Sequence, residues 1–313
     1  MKAHAVALAT WLLRFVPESV AMALAMAAAD LCWIGLPRRR RTIEGNLRYT
    51  APGCTARERR RLVRATLRNL ARCTVDFLRI PLMTRAELAS LIEWQDRAPL
   101  DQALALGRGA ILLGGHLGNW ELAGPWFAAL GYPAHVYAEV PSGDTELFRV
   151  YERYRGATGM RVIPVSGGAR PGYRALARGH VVALLADRVI TGPSCVVDFC
   201  GGRRRIPVGA AALARWSGAP VFFFHVTEQP GGPARYRGVL EPLDASVQRG
   251  EEEAFARRLS DLVSRVVFEH PDQWFVFQPD WLAGESATGP RVTSRDGSIG
   301  VSQDREAAQA STE

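Results

Sequence analysis

From residue 109 onward the chain alternates between two periods. Short apolar runs at 109–113, 134–140, 161–165, 180–186, 195–199, 220–226 and 235–240 read as strands, and the stretches 120–130, 144–157, 169–178, 207–217 and 251–269 read as helices. Regular alternation of this kind is what a parallel sheet requires, because each return to a parallel neighbour needs a crossover across one face. The sequence therefore predicts an α/β fold, a central mostly parallel sheet flanked by helices. Pro230-Gly231-Gly232-Pro233 marks a turn between the last two strands. At 313 residues and 48% hydrophobic, the chain can bury a substantial core.

The N-terminal region has a different character. Residues 5–36 are apolar with interruptions at Arg14, Pro17, Glu18 and Asp30, and Arg38-Arg39-Arg40-Arg41 follow at once. The stretch nearly reaches the ~20 apolar residues of a membrane span. It lacks a small-residue cleavage site before a polar chain, so a signal peptide is not expected. An apolar helix lying in a membrane interface, with the arginines facing an anionic cytoplasmic leaflet, is the expectation. A second basic set, Arg57, Arg59, Arg60, Arg61, Arg64 and Arg68, shares a helical stretch with Leu62, Val63, Leu67 and Leu70. Three segments are thus expected: a membrane-associated apolar helix and arginine cluster at 1–40, an α/β domain at 41–282, and a disordered tail at 283–313, which is rich in Ser, Gly, Thr, Ala and Gln.

The net charge of +8 favours an acidic partner such as a membrane surface or a phosphorylated donor. No aromatic residues interleave with the second basic set, so a nucleic-acid partner is not expected. Cys32, Cys54, Cys73, Cys195 and Cys200 form no C-x-x-C pair and no zinc spacing, which suits reduced thiols in a cytoplasmic compartment. No dinucleotide fingerprint, phosphate-binding loop or serine elbow is present, and neither a metal nor a bound cofactor is expected.

The chemistry concentrates in His116-Leu117-Gly118-Asn119-Trp120-Glu121. This segment lies where the apolar run 109–113 hands over to a helix. Gly114 and Gly115 allow a tight turn, Asn119 is a candidate N-cap, and Pro125 is expected to delay or kink the helix. On a continuous helix His116 and Glu121 would point ~140° apart, but across a strand-end turn they can converge. A neutral imidazole held by a carboxylate is a general base. With no Ser or Cys nucleophile in the segment, the base would act on a hydroxyl of the substrate itself.

Gly-His-Leu-Gly-Asn-Trp-Glu resembles the His-x4-Asp/Glu motif of the bacterial lipid A late acyltransferases and their relatives, the phosphatidylinositol mannoside acyltransferases. Further blocks match in the same order over roughly residues 5 to 282. They are Arg41 to Leu47, Tyr154-Arg155 with Gly159 to Ile163, Ala186-Asp187-Arg188, Val197 to Gly202 with Pro207-Val208-Gly209, and His270 to Trp274. Asp280-Trp281 departs from the family's usual Arg-Trp. The resemblance implies a glycerolipid-acyltransferase-like fold and transfer of a fatty acyl chain from an acyl thioester to a glycolipid hydroxyl, without an acyl-enzyme. It implies His116 as base, oriented by Glu121 or by Glu139 at the end of the strand 134–140. Asn119, Arg155, Asp187 and Arg188 would line the substrate site. An arginine or backbone N–H groups would hold the oxyanion. Acyl-coenzyme A or acyl carrier protein would be the donor; apart from the resemblance, Arg203, Arg204 and Arg205 could meet either the phosphate of the one or the acidic surface of the other. The acceptor would be a phosphatidylinositol mannoside-type glycophospholipid or a lipid A precursor, at the cytoplasmic face of the plasma (inner) membrane. Two other readings fit parts of the sequence: a basic peripheral membrane protein that binds anionic lipid without catalysis, and a thioesterase in which water replaces the lipid hydroxyl.

Overall fold

The computed structural model describes residues 2–140, 144–243 and 248–282, so the tail expected at 283–313 lies outside the described residues. The chain opens with four helices, α1 (Lys2–Leu12), α2 (Glu18–Gly35), α3 (Pro37–Thr50) and α4 (Ala56–Arg79). After the short helix α5 (Arg85–Ser90), the strand β1 (Ile92–Trp94) and α6 (Ala98–Ala105), strands and helices alternate. They are β2 (Ala110–Gly114), α7 (Trp120–Ala129), β3 (Ala134–Ala138), α8 (Thr145–Arg155), β4 (Arg161–Pro164), α9 (Arg170–Leu176) and β5 (Val181–Leu185). Then come β6 (Ser194–Phe199), β7 (Gly202–Pro207), α10 (Gly209–Ser217), β8 (Val221–Glu228), β9 (Tyr236–Leu243) and α11 (Glu252–Glu269).

Seven strands form one sheet in the order β1-β9-β8-β2-β5-β3-β4. All neighbours are parallel except β8 and β9, which the Pro-Gly turn joins as a hairpin. The mostly parallel sheet is as the alternation requires. One expected strand is not in it: residues 194–199 pair antiparallel with 202–207 in a separate two-stranded ribbon. Phe199 faces Gly202 across a two-residue loop, Cys200-Gly201, in which both residues have positive φ (47° and 74°). That is the backbone of the turn that lets antiparallel strands follow each other directly, so the run closes on its neighbour and not on the sheet.

β2 is buried along its whole length because both faces are covered. Ile111 and Leu113 point into a core shared with α9, α10 and α11, and Ala110 and Leu112 into a core shared with α7 and α8. The helix over 56–79 begins with a capping box, in which Thr55 and Glu58 satisfy each other's backbone N–H. Its arginines are not all free charges: Arg64 and Arg68 pair with Asp30 of α2, and Arg72 with Glu228 of β8. The two contacts of Asp30 dock α2 along α4, and the third ties α4 to the sheet. The outer side of α1 and α2 stays bare, with Leu8, Trp11, Phe15, Leu24, Leu31 and Ile34 exposed. Among the described residues, α2 is long and apolar enough to cross a membrane by length and composition.

Asn46 of α3 ties the N-terminal helices to the segment that follows α11. Its buried amide donates to the Val276 carbonyl at 2.6 Å and accepts from the Trp281 indole at 2.8 Å. Trp281 also stacks on Tyr49, with ring centroids 4.0 Å apart. Asn46→Ala strands both partners, so it is expected to cost about 2–3 kcal/mol of stability, read as a lower urea midpoint at unchanged slope.

Candidate active site

The parallel register between β2 and β5 places Gly114 opposite Leu185, and the Ala186 N–H donates to the Gly114 carbonyl at 2.9 Å. Two residues beyond each strand, His116 and Asp187 meet. The His116 ring Nδ1 lies 2.7 Å from one Asp187 oxygen. The other oxygen accepts the His116 backbone N–H at 2.7 Å and the Trp274 indole N–H at 2.9 Å. A Cβ at position 115 would sit 3.0 Å from that second oxygen, so glycine there lets the carboxylate close on the backbone. Asp187 is wholly buried, while the His116 side chain keeps an open edge. Burial pushes the Asp187 carboxyl up, but the His116 charge and the hydrogen bonds from His116 and Trp274 outweigh it and hold it below its ordinary range.

The carboxylate that orients His116 is therefore Asp187, not Glu121 or Glu139. Glu121, in the first turn of α7, receives a two-pronged contact from Arg155 at 2.9 and 2.6 Å. Arg155 lies over the rings of Phe77 and Tyr151, and although burial opposes its charge, the Glu121 charge raises its pKa overall. Glu139 pairs with Arg188 at 2.7 Å. Glu139 follows the next strand in sequence, but β5 lies between β2 and β3, so the neighbouring strand end belongs to Asp187.

Asn119 occupies the N-cap position of α7, but its side chain makes no capping bond. It is fully buried and donates to Asp76 of α4 at 2.9 Å. Asp76 also accepts from Arg235 at 2.7 Å and from the Tyr236 hydroxyl. Burial pushes the Asp76 carboxyl up to about 6 against these bonds. Asp76 was not anticipated, though a carboxylate between Cys73 and Phe77 on a helix's apolar side was a signal. Pro125 neither delays nor ends α7, which begins at Trp120 and runs to Ala129.

The turn between His116 and Asn119 is strapped by distant segments. The Gly118 N–H donates to the Gln273 carbonyl, the Asn119 N–H to the Val226 carbonyl, and the Phe275 N–H to the His116 carbonyl, all within 2.7–2.8 Å. Gly118 has φ +55°, and a Cβ there would fall 1.9 Å from the Val226 oxygen, so no other residue fits.

The open edge of His116 faces a cavity of about 460 Å³. Its walls are mostly apolar, including Val136, Ala138, Ala183, Leu185, Leu213 and Phe224, and the Arg155–Glu121 and Arg188–Glu139 pairs also line it. A histidine paired with a carboxylate at the edge of an apolar cavity has the chemistry for a proton transfer at one end of a long hydrocarbon chain.

These features match a known class. The family model described as bacterial lipid A biosynthesis acyltransferase covers residues 1–283, and the chain belongs to that family and is an acyltransferase. The chain is also similar to proteins named phosphatidylinositol mannoside acyltransferase. The one from Mycolicibacterium smegmatis is 33% identical over 226 residues, covering 71% of this chain and 73% of the relative. The one from Mycobacterium tuberculosis H37Rv is 33% identical over 231 residues, covering 71% of each.

The pH dependence of stability follows from Asp187. A carboxyl lowered from its ordinary value of 3.8 stabilises the fold above that value, and the contribution is lost as pH falls through the lower folded value. Unfolding free energy measured from pH ~7 down to ~3 is expected to fall below pH ~4, and Asp187→Asn to flatten that acid slope.

Proposed function

We propose that the protein transfers a fatty acyl chain from an acyl thioester to a hydroxyl of a glycolipid, with His116 as general base and no acyl-enzyme. The observation that carries this reading is the His116–Asp187 pair at the edge of the apolar cavity. With Nδ1 turned to Asp187, the ring's Nε2 is left to meet substrate. Nε2 takes the proton of the acceptor hydroxyl as its oxygen attacks the thioester carbon. The carbonyl re-forms as the carbon–sulfur bond breaks, and the imidazolium returns the proton to the leaving thiolate. Asp187 holds the tautomer and offsets the transient positive charge. The acyl chain lies along the apolar wall of the cavity.

The family description and the names of the relatives favour a glycolipid acceptor, either a phosphatidylinositol mannoside or a lipid A precursor. The 33% identity to the mannoside enzymes leans toward the former, with acyl-coenzyme A as donor and acyl carrier protein as the other candidate. The exposed apolar side of α1 and α2, with Arg38, Arg39, Arg41, Arg57, Arg60 and Arg61 exposed nearby in the chain, fits attachment to an anionic leaflet at the cytoplasmic face of the inner membrane.

His116→Ala should lower transfer by about 10²–10⁴-fold in kcat/KM, the worth of a placed base. Asp187→Asn should approach that loss, while Glu121→Gln and Glu139→Gln remain milder. Transfer by His116→Ala within a few-fold of the parent would refute the assignment. The assay crosses acyl-coenzyme A and acyl carrier protein thioesters with both acceptors, and free fatty acid released at full rate without acceptor would indicate a thioesterase instead.

Attachment is expected to be separable from catalysis. Replacing Leu24, Leu31 and Ile34 by Glu should release the protein from anionic vesicles in a flotation assay, while high salt alone releases it only partly, since salt screens charge but not apolar burial. Complete release of the parent protein by salt would mean a purely electrostatic attachment.

A further inference from the structure

Arg204 of β7, expected from the sequence to meet the donor with Arg203 and Arg205, is only 1% exposed and is the largest side chain buried to that degree, so it does not face a donor from the surface. Its guanidinium lies over the rings of Trp281, Trp274 and Phe199, 4.9, 5.2 and 5.7 Å from their centroids. The nearest carboxylate, Asp280, is 3.8 Å away and half exposed. Nε and Nη1 are buried and find no acceptor among the described residues. For packing alone this is a poor choice of side chain. A buried cation with unpaired donors is costly, and an apolar residue of similar volume would fill an aromatic cage at lower cost. The charge itself is what distinguishes arginine here.

The geometry gives that charge an object. Trp274, one wall of the cage, donates its indole N–H to Asp187 at 2.9 Å. The ring thus presents a face to the cation and an edge to the carboxylate that orients His116. We infer that Arg204 is a positioning residue for the His116–Asp187 pair: its buried charge, set behind Trp274, keeps Asp187 an ionised acceptor and thereby holds the His116 ring in its orientation. The inference rests on the reading of His116 as base. Other charges around the pair do not supply this field. Arg188 and Arg155 are each neutralised by a carboxylate in the cavity. Cys200, at the turn before β7, is buried with its thiol pushed up to about 12 and stays neutral. Asp280 is the carboxylate that opposes Arg204, and being exposed it is screened by solvent. Burial pulls the Arg204 pKa down while Asp187 and Asp280 hold it up, as expected for a cation facing both acids.

The sign follows. Removing a buried cation makes proton uptake by the pair easier, so the acid limb of the kcat/KM profile should move to higher pH. Arg204→Met fills the cage without charge and should move the limb up by about one unit, the scale of one opposite charge at a buried site. Arg204→Lys keeps the charge and should restore the parent profile even though the planar stacking is lost. Asp280→Asn alters an exposed side chain, remains informative if Arg204→Met does not fold, and should move the limb slightly down at low ionic strength. Activity is measured with acyl-coenzyme A and phosphatidylinositol mannoside. In parallel, the titration of the pair is followed by NMR on the ring nitrogens of ¹⁵N-histidine protein, with His116 assigned by His116→Gln. The NMR readout needs no turnover, so it reports on Arg204 even if His116→Ala retains activity and the base reading fails. An upward move in Arg204→Met that Arg204→Lys reverses supports the inference. A titration unmoved in Arg204→Met, moved as far in Arg204→Lys, or, where Arg204→Met does not fold, unmoved in Asp280→Asn, overturns it.

Discussion

Hydrogen bonding between β2 and β5 is the constraint on which the site depends. Parallel pairing in this register leaves two chain segments leaving the sheet side by side, one carrying His116 and the other Asp187. Ends of adjacent parallel strands open on the same side of a sheet, which is where α/β proteins gather their reactive groups. A slip of one residue in either strand would turn its side chains to the opposite face and separate the pair. The apolar character of β2, buried on both faces, makes that register costly to change.

The reactive turn is held from outside its own element. Backbone groups of His116, Gly118 and Asn119 are satisfied by β8 and by the segment around Gln273 to Phe275. That segment is in turn anchored to α3 through Asn46. Below the turn, Asn119 reaches Asp76 on α4, and Asp76 reaches Arg235 and Tyr236 at the start of β9. The N-terminal helices are thus joined to the site by buried polar contacts as well as by packing, and Arg235 extends the chain of contacts to Glu18 at the start of α2.

The arginine excess looks different once partners are assigned. Arg64, Arg68, Arg72, Arg155 and Arg188 are paired with carboxylates, and Arg204 is enclosed by aromatic rings. The exposed arginines of α3 and the start of α4 leave positive charge in solvent. Composition reports a net charge, but burial and pairing decide which charges act at long range.

Much of the molecule was legible in the sequence because the signals are local. The alternation of periods announced a mostly parallel sheet, the strand-to-helix junction at 114–121 announced a site, and His116 stood out within it. The ribbon of 194–207 was not legible as separate, since a strand's period does not name its partner, although the positive φ at Cys200 and Gly201 decided it. The acid that holds His116 was misread for the same reason. Glu121 is five residues away and Glu139 follows the next strand, whereas Asp187 is 71 residues distant and becomes the neighbour only because β5 enters the sheet between β2 and β3. Asn119 had the right residue type for a cap, but tertiary burial gave its amide to Asp76. Periodicity and residue type act along the chain and determined the fold class and singled out His116. Strand order and burial act across it, and they alone decided which carboxylate holds the imidazole and which arginine stands behind it.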